Sequence, residues 1–218
     1  MAKMYVFGGG KGGVGKTTAT LAMHHAKRAR GEDYLLVDGD STNPDVARAL
    51  GLEAPENFCD PLEPGSWRQL LAAARERDVV VNLPAGGDKY FLGKSQLISN
   101  AASEDGIQLF YISTLNRTTE CLSLLKSSLE MIETTTIKPV VVINEFFGAV
   151  YKFERYQRSA ERKKIRQLEG IEIVLPELVD FATDAMISPG GVGFQQADAM
   201  TRHAFQEWVD AVTQKFNF

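Results

Sequence analysis

The chain has 218 residues, 44% hydrophobic and 24% charged, with a formal net charge of −4. That size suits a single α/β domain over residues 1–218 with a full core. The acidic balance excludes a wholesale electrostatic affinity for nucleic acid or acidic lipid and leaves only a local patch for either. The two cysteines, Cys59 and Cys121, lie far apart without C-x-x-C spacing, so neither a disulfide framework nor a zinc site is indicated. No stretch approaches the ~18 apolar residues of a membrane span, and no charged-then-apolar leader opens the chain, so the expected location is cytoplasmic.

An apolar run at residues 4–7 predicts a buried strand. It leads into a glycine-rich loop, residues 8–18, which carries the pattern G-x-x-x-x-G-K-[ST] from Gly10 through Gly15, Lys16 and Thr17. A helix follows over 16–30, ending in basic residues and Gly31. This strand–loop–helix context is the one in which a phosphate loop works. Glycines let successive N–H groups form a concave nest for anionic oxygens. On this reading the backbone of Gly10, Lys11, Gly12, Gly13, Val14 and Gly15 cradles a nucleotide together with Thr18. Lys16 reaches its outer phosphates and the Thr17 hydroxyl takes one position on Mg²⁺.

Further strands are expected at 34–37, 78–84, 107–112, 140–144 and 171–174. Helices are expected at 44–50 (Asn43 as cap, Pro44 as first residue), 66–77 (capped by Ser66), 91–102, 118–133, 152–168, 179–187 and 197–215. Residues 53–65 hold three prolines and read as a loop, and Gly190-Gly191-Val192-Gly193 reads as a turn. Apolar strands separated by helices predict an α/β fold with a mostly parallel sheet covered on both faces. Ligands of such sheets lie off the carboxyl ends of the strands. Asp38 and Asp40 end the second strand there, Asn82 the third and Asn144 the fifth. Asp38 or Asp40 is placed to hold a Mg²⁺-bound water or to orient an attacking one, against the alternative of a merely polar turn.

The loop K-G-G-V-G-K-T-T, with its second lysine, resembles the deviant Walker A loop of the ParA/MinD family of ATPases. The resemblance implies a single-domain P-loop NTPase that binds ATP or ADP with Mg²⁺ and closes as an ATP-bound homodimer. In that arrangement Lys11 contacts the partner subunit's phosphates. Residues 37–40 look like the family's second motif, whose latter Asp, here Asp40, is associated with the hydrolytic water. Residues 79–84 look like the Walker B strand, and Asn144, Pro176 and Glu177 look like adenine-contacting segments. Lys11, Lys16, Asp38 and Asp40 are thus the catalytic candidates, and Thr17, Asp38 and Asn82 (through water) the metal candidates.

One departure is plain: the family's Walker B strand ends in Asp, and here the residue is Asn82, which lacks the charge and accepts through one oxygen. Either Asp38 compensates for the missing charge, or hydrolysis is slow and the protein acts as a switch held in its ATP form, and slow hydrolysis is the expectation. The implied function is an ATP-dependent switch that works with an adaptor or activator protein. It positions or partitions a cargo, first of all plasmid DNA in partition, stability or conjugative mobilisation. Two alternatives stand beside it: a non-hydrolysing nucleotide-dependent scaffold, and a metabolic P-loop enzyme of the amidoligase or dethiobiotin-synthetase type. Lys11 counts against the metabolic enzyme.

Lys152, Arg155, Arg158 and Arg162 fall in the basic helix expected at 152–168, and the last three share one of its faces. That face suits non-specific DNA contact or is simply a solvated charge run. Phe205, Trp208, Val209, Val212 and Phe216 form a stripe read as packing on the chain's own core rather than on a membrane, because the opposite face is acidic. Cys59 and Cys121 read as ordinary thiols, and His24 and His25 lie away from any acidic ligand set.

Overall fold

The apolar runs form six strands that pair side by side, all parallel, in the order β2-β3-β1-β4-β5-β6. They are β1 (Lys3–Gly8), β2 (Tyr34–Asp38), β3 (Asp78–Asn82), β4 (Gln108–Leu115), β5 (Lys138–Asn144) and β6 (Ile171–Leu175). The computed structural model describes residues 2–9, 12–191, 194 and 196–218. Alternation along β1 divides the core. Met4 and Val6 face one apolar cluster with α3 (Pro64–Ala74), α4 (Asp88–Gly93), α5 (Ser95–Glu104), α6 (Thr119–Ile132), α7 (Glu154–Gln157) and α8 (Ala160–Gln167). Tyr5 and Phe7 face the other cluster, with α1 (Lys16–Ala29), α2 (Asp45–Leu50), α9 (Asp180–Ile187) and α10 (Ala199–Lys215). Two packed faces explain why the strands read as continuous apolar runs. The strand order reverses about β1, so the loop leaving β1 opens onto the crevice where ligands of such sheets bind.

Several expected elements differ, each for a local reason. The helix expected at 91–102 is two helices, α4 and α5, separated at Lys94, whose backbone (φ −119, ψ 15) leaves the helical region. The basic helix expected at 152–168 is also interrupted. A 3₁₀ turn, Val150–Lys152, precedes α7, and the Ser159 hydroxyl accepts from Arg162 N to cap α8 as a new start. Arg155, Arg158 and Arg162 therefore do not share one continuous helix. The third helix begins at Pro64, ahead of Ser66, with Pro fitting a first-turn position. Residues 53–65 hold a 3₁₀ turn, Pro55–Asn57, and Asn57 Nδ2 donates to Leu36 O at 2.7 Å, laying the segment along β2. Gly190 adopts the left-handed conformation (φ 65), while Val192 and Gly193 of the expected turn lie outside the described residues.

The C-terminal stripe packs inward as expected: Trp208, Val209, Val212 and Phe216 are buried against α1 and β6. Trp208 Nε1 also donates to Pro176 O at 2.9 Å, tying α10 to the segment after β6. Among the described residues no helix is long and apolar enough to cross a membrane.

At the opposite end of the sheet Lys27 is 1% exposed, and its ammonium lies 2.7 Å from both Glu32 and Asp78 and 4.8 Å above the Tyr5 ring. The other Asp78 oxygen accepts from Lys3 N at 2.8 Å, so one side chain joins α1, β1 and β3. Lys27→Met leaves two partly exposed carboxylates, Glu32 and Asp78, without their cation, so it should cost about 1.5–3 kcal/mol in a urea unfolding titration. A loss below about 1 kcal/mol would show that the carboxylates rehydrate freely.

His24 and His25 sit inside the fold, where burial and then the neighbouring positive charges hold their pKa values down, to about 3 and about 4. Tyr34 Oη lies 2.7 Å from His24 Nδ1. Below a pH of about 6.5 the unfolded chain protonates both rings while the folded chain does not, so stability is lost as pH falls through 6.5 toward 4. The unfolding midpoint at pH 5 should lie well below that at pH 7.5, and His25→Phe should flatten that dependence.

Candidate functional site

The phosphate loop leaves β1 through two glycines whose identity the packing requires. A Cβ on Gly8 would sit 2.5 Å from the Tyr111 ring, and Gly9 has φ +117. Gly10 and Lys11 lie outside the described residues. At the far end Gly15 has φ +89, and a Cβ there would meet Asn144 Nδ2 at 2.2 Å. α1 then starts at Lys16 with no side-chain cap and no acidic residue in its first turn. Its first N–H groups and the positive end of its dipole thus face the crevice, the usual arrangement for a bound phosphate.

Lys16 is half-buried. Burial lowers its pKa, and the charges of Asp40, Asp88 and Asp38 oppose that shift. The side chain therefore lies within electrostatic reach of three carboxylates, at the end of β2 (Asp38), just after it (Asp40) and at the start of α4 (Asp88). Thr17 and Thr18 are partly buried in the first turn.

Asp38 is 1% exposed and saturated with donors. Its Oδ2 accepts from Val46 N and Ala47 N, both at 3.0 Å. Its Oδ1 accepts from Asn82 Nδ2 at 2.9 Å and Asp40 N at 3.2 Å. Asp38 thus caps α2 from a distance, the role that sequence reading gave to Asn43, with α2 starting at Asp45 rather than Pro44. The bond to Asp38 leaves the Asn82 amide one acceptor, Oδ1, which lies 3.4 Å from the Thr20 hydroxyl. Asp40 is less confined: its Oδ1 accepts from Asn43 N at 2.9 Å on the exposed turn at 41–43.

Beside the loop a cleft of about 270 Å³ brings together Gly13, Gly15, Thr18, Asn144, Pro176 and Glu177. Residues expected from distant parts of the sequence thus share one wall. The Asn144 side chain is occupied at both ends: Nδ2 donates to Val14 O at 3.1 Å and Oδ1 accepts from Phe146 N at 3.1 Å. It braces the loop. Phe146 also lines the cleft and is 59% exposed, an aromatic face that sequence reading missed.

The basic residues gather elsewhere. Lys152 and Arg155 rim a cavity of about 290 Å³ with Arg117, and Arg155 Nη1 donates to Arg117 O at 3.1 Å. Arg162 is committed to Glu172 through bonds of 2.8 Å from both Nε and Nη2. Arg158 is exposed and lies 4.0 Å from Glu154.

Cys59 is partly buried and its thiol is pushed up to about 12, by burial first and then by Asp38 and Asp60. Cys121 is buried, with Sγ 3.6 Å from Thr114 O. Among the described residues no cluster of three or more His, Cys, Asp or Glu side chains is placed to hold a metal.

A parallel sheet whose order reverses at a glycine loop, with an uncapped helix N-terminus and a lysine among carboxylates beyond it, defines a phosphate-loop nucleotide-binding protein. The chain belongs to the CobQ/CobB/MinD/ParA nucleotide-binding domain family, which it matches over residues 5–186. It is similar to protein MobD of Acidithiobacillus ferrooxidans, 31% identical over 192 residues that cover 86% of this chain and 84% of MobD. Its fold is similar to that of the cell division ATPase MinD of Pyrococcus furiosus, at 20% identity and TM-score 0.55, covering 98% and 99% of the two chains. It is also similar to the septum site-determining protein MinD of Pyrococcus horikoshii, a structure complexed with Mg-ADP, at 20% identity and TM-score 0.54 over 97% and 96%.

Proposed function

We propose that the protein is a Mg²⁺-dependent ATPase that works as a dimerisation switch. ATP closes two subunits face to face with Lys11 on the partner's phosphates, and hydrolysis releases them. The observation that carries this reading is the phosphate loop itself, with α1 uncapped behind it and Lys16 held among Asp40, Asp88 and Asp38. The MinD relatives, one called an ATPase and one complexed with Mg-ADP, support the choice of nucleotide.

The donor set fits a Mg²⁺ bound largely by phosphate oxygens and water, as this ion prefers. Thr17 would hold the ion with its hydroxyl and Asn82 Oδ1 would hold one of its waters, and Asp38 sets the orientation of Asn82 through the 2.9 Å bond. When bound, such an ion would neutralise charge developing on the transferred phosphoryl group. Asp40 orients the attacking water, and Lys16 and the loop N–H groups bind the phosphates. Hydrolysis is slow, because the strand end at Asn82 is neutral and Asp38 is already committed to four N–H groups.

The cargo is plasmid DNA, met through an adaptor or through direct contact at Lys152, Arg155 and Arg158. Arg162 contributes less, since Glu172 neutralises it. Sedimentation tests the switch: a dimer with ATP and Mg²⁺, a monomer with ADP, and a monomer for Lys11→Ala under both conditions. A wild-type protein that stays monomeric with ATP sinks it. The neutral Asn82 favours one other reading, a scaffold that binds ATP without cutting it. That reading predicts ATP-dependent dimers and no phosphate release over hours.

A further inference from the structure

Behind the phosphate loop the carboxylate of Asp88 pairs with the buried phenol of Tyr111. Asp88 is the first residue of α4 and is 5% exposed. An acidic residue there commonly serves its own helix, yet its Oδ2 turns to the loop. It accepts from Tyr111 Oη at 2.7 Å and from Gly9 N at 3.1 Å. Gly9 N also lies 3.0 Å from Tyr111 Oη, so one loop N–H is shared between two buried acceptors. Tyr111 is 1% exposed in β4, and burial, then the charge of Asp88, pushes its phenol far up, so its hydroxyl remains a donor. The contact is close enough to forbid any side chain at Gly8, whose Cβ would meet the ring at 2.5 Å.

We propose that Asp88, oriented by Tyr111, is a positioning residue of the nucleotide site. It anchors the loop entry through the Gly9 N–H, and so sets the direction in which the N–H groups that follow present themselves to phosphate. The geometry favours this over a purely structural role for two reasons. The anchored group belongs to the loop rather than to α4, and the φ of +117 at Gly9 turns the chain at that anchored peptide. The same carboxylate lies within electrostatic reach of Lys16, so one side chain acts on both ends of the loop.

The inference rests on the nucleotide reading, and its probe is a fluorescent ADP carrying a methylanthraniloyl group on the ribose. Tyr111→Phe keeps the ring and its packing and removes only the donor. Asp88→Asn keeps the shape and removes the charge. Buried charges are poorly screened by salt, so Tyr111→Phe, which changes no charge, is the primary variant, and it should bind the probe about tenfold more weakly than wild type. The double variant should be no weaker than the weaker single one, because both act through the same bonds. Without nucleotide, Tyr111→Phe should unfold within a few degrees of wild type, and Ser128→Ala, whose hydroxyl lies 3.4 Å from Tyr111 Oη, should leave affinity unchanged. Wild-type affinity in Tyr111→Phe, additive losses, or a loss matched by an equal fall in nucleotide-free stability overturns the proposal. A wild-type protein that fails to bind the probe overturns the nucleotide reading and this proposal with it.

Discussion

Lys16→Ala should weaken ATP and ADP binding by at least about 100-fold and remove ATP-dependent dimers, as read by calorimetric titration and sedimentation. Charge-assisted hydrogen bonds to phosphate contribute about 1.5–3 kcal/mol each, and about 1.4 kcal/mol is a factor of ten. One or two such bonds account for the loss, and the carboxylates add to it. Asp40, Asp88 and Asp38 all act on Lys16; without the ammonium they remain as negative charges beside the place an anion must enter. Lys16→Arg should not restore affinity, because a planar guanidinium is longer than an ammonium and needs a flat fork of acceptors. Binding of Lys16→Ala within tenfold of wild type would mean that backbone N–H groups alone hold the phosphates, and the lysine would lose its assigned role.

How much of this was legible in the sequence depended on the range of the interaction. The strands were legible because two covered faces demand unbroken apolar runs such as residues 79–81 and 140–143, and helices between them force parallel pairing. The loop was legible because backbone geometry requires glycine at Gly13 and Gly15, both with positive φ. Helix breaks were not. Ser159 and Lys94 interrupt periodic stretches through local backbone conformation, which periodicity does not register.

Side-chain partners were legible least of all. Asp38 was read as a metal-side carboxylate, yet it spends both oxygens on the start of α2, the Asp40 N–H and Asn82. Asn144 was read as a base contact, yet it spends its amide on the loop and on the turn behind it. Nor does composition disclose a lysine that finds two carboxylates in the interior, as Lys27 does. Asp88 was hidden for a simpler reason: the helix it begins was expected three residues later. What these unforeseen bonds share is a partner distant in sequence, by 44 residues for Asn82 and Asp38 and by 130 for Asn144 and Val14.

Asn82→Asp should not speed hydrolysis, even though it restores the carboxylate with which the family's strand ends. The amide nitrogen of Asn82 donates to Asp38 Oδ1 at 2.9 Å, and both residues are buried. A second carboxylate there would bring oxygen against oxygen, so one group must keep a proton or leave the pocket. Asp38 is already held by three backbone N–H groups, so the new carboxyl at position 82 is the one that must take the proton. The folded variant then binds a proton that the unfolded chain has released above a pH of about 4. Stability therefore falls as pH rises. At pH 7.5 the variant should be less stable than wild type by about 2–4 kcal/mol, with the deficit shrinking toward pH 5. Asn82→Ala loses a donor without adding charge, so it should cost about 1–2 kcal/mol with no added pH dependence. Urea titrations of the three proteins at pH 5, 6 and 7.5 separate these outcomes, and phosphate release on the same samples reads catalysis. If Asn82→Asp is as stable as wild type at pH 7.5 and hydrolyses ATP faster, Asp38 is free to move and the site accepts two carboxylates around the ion. If wild type also shows no turnover, Asn82 marks a nucleotide-dependent scaffold from which hydrolysis has been lost.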